Sequence, residues 1–218
     1  HALPSLALCA LSLNFASGKT QPNPASDSLK LDSFEQGFQL SKGGKPLLRY
    51  LSKPTAESGN HAPHYSRSGY IHPLFSPSGK VVTGDYASDH PHQHGLFFAW
   101  TKSTFRGKPT EFWNQAKKLG DIRFHRYLGE ERREESCSFL FEQIFTSGKD
   151  SDKPILKETW RIDVPGKPMP YHQFDLISTQ TCATKDPLLI QKYHYGGMAI
   201  RGNPQWMKKD ENGNPKGS

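Results

Sequence analysis

Leu156-Lys157-Glu158-Thr159-Trp160-Arg161-Ile162-Asp163-Val164 alternates with a period of two. Extended backbone sends successive side chains to opposite faces. Trp160, Ile162 and Val164 therefore share one face, and Lys157, Thr159, Arg161 and Asp163 the other. That pattern predicts a strand with one face in a core. Working outward, residues 138–145, 174–181, 188–192, 96–101 and 70–75 give further apolar runs of strand length. Residues 29–40 and 47–50 flank Ser41-Lys42-Gly43-Gly44-Lys45-Pro46, which predicts strand, tight turn, strand. The one helix-like stretch, residues 109–119, is short.

Composition agrees with many short strands. The 218 residues include 19 Gly and 17 Pro, and only 34% are hydrophobic, so aromatic residues at 11% supply much of the core. The expected fold class is all-β, an antiparallel β-sandwich. No 18-residue apolar span occurs in the body of the chain, nor do heptads or an internal repeat.

Residues 1–18 have the apolar run and the small residues, Ala16 and Gly18, of a secretory signal peptide, with no initiator Met or basic leader, as in a clipped N-terminus. The expected organisation is a signal remnant at 1–18, a polar lead-in at 19–28, one β-sandwich domain at 29–207 and a polar tail at 208–218. Export to the periplasm or the exterior follows from the signal. If Cys9 leaves with it, Cys137 and Cys182 remain, either as a disulfide or as two independent thiols. The net charge of +7 comes from scattered Lys and Arg rather than a basic patch, and no nucleic-acid-reading motif is present, so a solvated surface is expected and a nucleic-acid partner is not. The oligomeric state is not encoded in any pattern of this chain.

The chemistry concentrates in Asp85-Tyr86-Ala87-Ser88-Asp89-His90-Pro91-His92-Gln93-His94-Gly95. Three of the ten histidines alternate here after a carboxylate. On extended backbone His90, His92 and His94 would converge on one face. Imidazoles with a pKa near neutrality suit proton transfer, and Asp89 can fix a tautomer. The catalytic candidates are therefore His90, His92, His94 and Asp89. The competing reading makes His90, His92 and His94 ligands of a divalent metal such as Zn or Cu, with Asp89 or His72 completing the shell. No other cofactor is expected: phosphate-cradling glycine loops, dinucleotide fingerprints and a serine nucleophile elbow are all missing. Trp100, Phe112, Trp113, Tyr193 and Trp206 offer flat faces for a sugar ring, with core packing as the alternative for each. A second polar-aromatic stretch runs from Gln191 to Gly202, in which His194 could join the first cluster and Arg201 suits a carboxylate.

Tyr70 to Gly79, Asp89 to Trp100, Phe112-Trp113-Asn114 and Tyr193-His194-Tyr195-Gly196-Gly197 resemble a secreted bacterial domain of unknown function labelled PmoA-like, "methane oxygenase". The resemblance covers about residues 30–207, and Asp89-His90-Pro91-His92 is its most specific part. Many relatives have His-His-Arg where this chain has Gln93 and His94. The methane-oxygenase label does not transfer as an activity, because the membrane enzyme's subunit spans the bilayer repeatedly and this chain has no spanning segment after its signal. The resemblance implies a galactose-mutarotase-like supersandwich, with the chain ending before the family's last strands. It further implies a carbohydrate or sugar-acid ligand, bound by His72, Trp113, Tyr193, His194 and Arg201. The reaction would be an isomerisation, hydrolysis or elimination; a non-catalytic sugar-binding or structural module is the remaining alternative.

Overall fold

A computed structural model of the chain describes residues 28–148 and 152–206. Residues 1–27, which take in the stretch read as a signal peptide and most of the polar lead-in, and the C-terminal tail lie outside the described residues. In chain order the strands are β1 (Leu29–Phe34), β2 (Gly37–Lys42), β3 (Lys45–Leu51), β4 (Tyr70–Leu74), β5 (Leu96–Ala99), β6 (Ser103–Phe105) and β7 (Lys108–Thr110). They continue as β8 (Gly120–Arg132), β9 (Ser136–Ser147), β10 (Pro154–Pro165), β11 (Asp175–Cys182), β12 (Leu188–Ile190) and β13 (Gly197–Ile200). Every paired strand is antiparallel. One sheet runs β1-β2-β3-β4-β5-β13, a second β11-β10-β9-β8, and a small third β12-β6-β7.

The chain is thus an all-β sandwich, and its core is aromatic where the two large sheets meet. Tyr50 of β3 stacks on Phe141 of β9 at 4.1 Å and 10°, and meets the edge of Trp160 at 76°. Phe38 of β2 contacts Tyr127 of β8 at 5.3 Å. Trp160, Ile162 and Val164 are fully buried, as their alternation predicts. Glu158 shares their face by the same two-residue period and is also fully buried.

Two local expectations are corrected, and one long strand carries no sequence signal. Residues 109–119 form no helix but the end of β7 and a single 3-10 turn, Gln115–Lys117, whose N-cap Asn114 accepts a bond from the Ala116 amide at 3.2 Å. The thirteen residues of β8 show no clean alternation, because register shifts at Phe124/Arg126 and Tyr127/Gly129 break the period. Residues 89–94 are a pair of turns, not extended strand, with the His90 amide bonded to the Ala87 carbonyl and the Gln93 amide to that of His90. The Pro91 ring cannot donate to a ladder, and the chain turns around it.

Cys137 is a buried free thiol at the start of β9 and Cys182 an exposed free thiol at the end of β11. On β13, Met198 and Ile200 stand opposite Phe98 and Leu96 and so share their face, yet are 41% and 58% exposed. No helix among the described residues is long and apolar enough to cross a membrane.

Candidate functional site

The histidine segment packs directly on β4 because Gly95 has no side chain: a Cβ there would collide with the Ile71 carbonyl. That contact sets His94 under the loop and leaves His90 and His92 above it. Two clusters result.

The inner cluster is closed to solvent. His94 Nδ1 lies 2.8 Å from Asp85 Oδ1, and the Tyr70 hydroxyl donates to Asp85 Oδ2 at 2.7 Å. The Tyr86 amide adds a third bond to Asp85 Oδ1 at 3.1 Å. On the other side of the ring, His94 Nε2 is 3.2 Å from the Gln115 amide. Burial holds the His94 ring below the usual histidine range, against the opposing pull of Asp85. A neutral ring with its proton on Nδ1 donates to Asp85 and calls for the NH2 group of Gln115 at Nε2. Both nitrogens are thereby engaged, and Tyr70 and Tyr86 close over the ring with centroids at 4.8 Å each. This is a pinning network, and it holds the loop's shape.

The outer cluster faces solvent. His90 Nδ1 is 2.9 Å from Asp89 Oδ2, and Arg201 Nη2 is 2.6 Å from Asp89 Oδ1. Arg201 Nη1 donates to Gln93 Oε1 at 2.8 Å, and the Arg201 amide donates to the Gly95 carbonyl at 2.7 Å. The His90 and His92 rings meet edge to face at 5.6 Å. Partial burial works against the Asp89 charge, but the His90 bond and Arg201 outweigh it and keep the carboxyl below its usual range. His92 is pushed down to about 4 by burial and then by His90 and His94. It is consequently a neutral base near neutral pH.

His72 sits at the margin between the clusters. Its Nδ1 is hydrogen-bonded to Thr83 Oγ1 at 2.9 Å, and that hydroxyl accepts from the Leu74 amide at 3.0 Å. Burial lowers its pKa.

The three alternating histidines therefore do not converge as a ligand triad. His94 spends both nitrogens on Asp85 and Gln115, and no group of three His, Cys, Asp or Glu among the described residues is arranged to hold a metal ion.

The remaining binding candidates divide. Arg201 joins His90 and His92. Tyr193, His194 and Tyr195 stand at the other end of the β5–β13 pair, where Thr101 donates to the Tyr195 carbonyl at 2.8 Å. The four residues of β5, about 13 Å of strand, separate the two ends. Trp113 lies between Phe97 at 5.0 Å and Tyr195 at 5.2 Å, part of the packing beneath the aromatic end.

A second buried polar group has no counterpart among the sequence candidates. Glu158 Oε2 accepts from Gln143 at 2.7 Å, and its Oε1 accepts from Ser178 and, at 3.1 Å, from Gln180. Gln180 in turn accepts from the Trp100 indole at 2.9 Å. Burial raises the Glu158 pKa, against these hydrogen bonds and the charge of Arg67. Arg67, only 2% exposed, donates to the Phe98 carbonyl at 2.7 Å and lies 5.2 Å from the Phe97 ring centre. The alternation around Trp160 was the one signal that could have found Glu158; Arg67 and Gln115 carry none, since loops bring them in.

No curated protein and no solved structure matches the chain. A family model does, over residues 37–216, which take in both clusters and every strand from β2 onward. The chain belongs to that family, a family of unknown function designated DUF6807.

Proposed function

We propose that the chain binds and processes a carbohydrate or sugar acid at the surface formed by Asp89, His90, His92, Gln93 and Arg201. The observation that carries this reading is the position of Arg201. It reaches the histidine loop from the far end of β13 and is held by both Asp89 and Gln93 beside two accessible imidazoles. A guanidinium held in this way sets a fixed positive charge beside the imidazoles, which draws an anionic group such as a sugar carboxylate. His92, neutral at neutral pH, accepts a proton from a sugar hydroxyl or an acidic C–H, and His90 with Asp89 returns one. These roles fit isomerisation, hydrolysis or elimination.

The test is a product screen by mass spectrometry over neutral sugars and sugar acids, with the parent chain and the His90→Ala and His92→Ala variants. Turnover in the parent that falls at least about 100-fold in His92→Ala supports the reading. Equal turnover in parent and variants overturns it. Turnover that requires an added divalent metal and is lost on chelation would give the histidines a ligand's role in place of acid–base work.

A further inference from the structure

At the aromatic end of β5–β13, two clefts of about 310 and 280 Å³ lie side by side. They share Thr101, Lys102 and Tyr193 as lining, so Tyr193 stands between two compartments of one groove. Each is close to the lower size limit of ligand pockets, about 300 Å³. The first compartment adds Lys192 and Tyr195, and the second adds Glu111 and Lys117.

Three observations describe what such a groove would take. Tyr193 and Tyr195 are 45% and 43% exposed, although large aromatics are normally covered, and their rings meet at 4.9 Å and 74° to form a ledge. This ledge is held in place: Gly196, at φ +134°, leaves room for Thr101 Oγ1 to donate to the Tyr195 carbonyl. Next, Glu111 is only 7% exposed; its Oε2 accepts from Lys117 Nζ at 2.6 Å, and its Oε1, also buried, has no partner. A buried acceptor without a donor is costly, and Glu111 lines the second compartment, so a turn of its carboxyl group toward the groove would let a ligand hydroxyl satisfy it. Finally, Lys102, Lys117 and Lys192 outnumber Glu111, which leaves the groove positive.

We infer that this groove binds an acidic oligosaccharide, with sugar units in both compartments: C–H faces on Tyr193 and Tyr195, a hydroxyl on Glu111 Oε1, and carboxylates near Lys102 and Lys192. The inference shares the sugar class of ligand with the proposed function but not its site. Two tyrosine faces set at 74° between lysines suit ring-shaped anionic units that bring C–H faces, hydroxyls and carboxylates together, whereas an acidic peptide brings the carboxylates without the rings.

The probe is a galacturonate trimer, titrated calorimetrically into the full chain, with a neutral galactose trimer and poly-glutamate as comparators. The galacturonate trimer is expected to bind and to weaken as salt rises from about 0.05 to about 0.5 M. Tyr193→Ala should lower its affinity about tenfold. Lys102→Ala with Lys192→Ala should lower it and flatten the salt dependence. These side chains lie at the surface, so circular dichroism should be unchanged. The loss in Tyr193→Ala reads this groove alone, since Tyr193 stands at the opposite end of β5–β13 from the histidine cluster. No binding, equal binding of the neutral trimer or of poly-glutamate, or parent-like binding by Tyr193→Ala would each overturn the inference.

Discussion

His94 donates to Asp85 across 2.8 Å with side chains 0% and 2% exposed, so the hydrogen bond is closed to solvent on both sides. Nine residues apart in sequence, the two are brought together when the loop folds over β4. Replacing Asp85 with Ala would leave the Tyr70 hydroxyl and the His94 N–H without acceptors in the interior. A loss of about 3 kcal/mol in unfolding free energy is expected. Asp85→Asn, which keeps an acceptor, should cost less. Urea denaturation of both variants measures this, and equal, near-zero losses would contradict the pinning role.

His92 gives the site a pH signature. In the unfolded chain it takes up its proton near 6.5, but in the folded chain only near 4. Between those values the unfolded chain binds more protons, so the contribution of His92 to stability is full above about 6.5 and is lost as pH falls toward 4. His72 and His94, also lowered, act in the same direction. His92→Gln should flatten part of the acid slope in thermal melts between those pH values. If His92 is the base, the acid limb of any pH–rate profile should lie near 4; a limb near 6.5 would assign the base elsewhere.

Arg201 ties β13 to the histidine loop through Asp89 and Gln93. Both partners are partly exposed, so the pair should matter little for stability, about 1 kcal/mol or less. Arg201→Ala is nevertheless expected to abolish sugar-acid binding at this cluster while melting close to the parent. A large fall in melting temperature would make Arg201 a structural brace.

Glu158 is a fully buried carboxyl group in the core. Its removal in Glu158→Ala strands the Gln143, Ser178 and Gln180 donors and should cost about 3 kcal/mol, while Glu158→Gln should cost less. Chemical denaturation distinguishes the two.

The cysteines make a simple chemical test. Burial pushes the Cys137 thiol up to about 11, whereas Cys182 is exposed. Iodoacetamide at neutral pH should label Cys182 in the native chain, and Cys137 only after denaturation, as read by peptide mass mapping. Native labelling of Cys137 would show that the start of β9 opens.

Strands with a regular two-residue period, β10 above all, were legible because alternation is a local consequence of extended backbone with one face in a core. So was the importance of the histidine segment, through its composition. The shape of that segment was not: Pro91 and the close approach of Gly95 to β4 turn the chain, so His94 goes inward and His90 and His92 outward. β8 was hidden by its two bulges.

By itself, then, the sequence determined an all-β chain, an aromatic core and a His-rich loop, since those depend on residue type and period. Only the tertiary structure decided which histidine is pinned, that Arg201 rather than His194 joins the other two, and that Tyr193 belongs to a separate groove. Those outcomes depend on β13 pairing antiparallel with β5. That register sets Arg201 beside Gly95 at one end and Tyr195 beside Thr101 at the other, a long-range choice that no local pattern records.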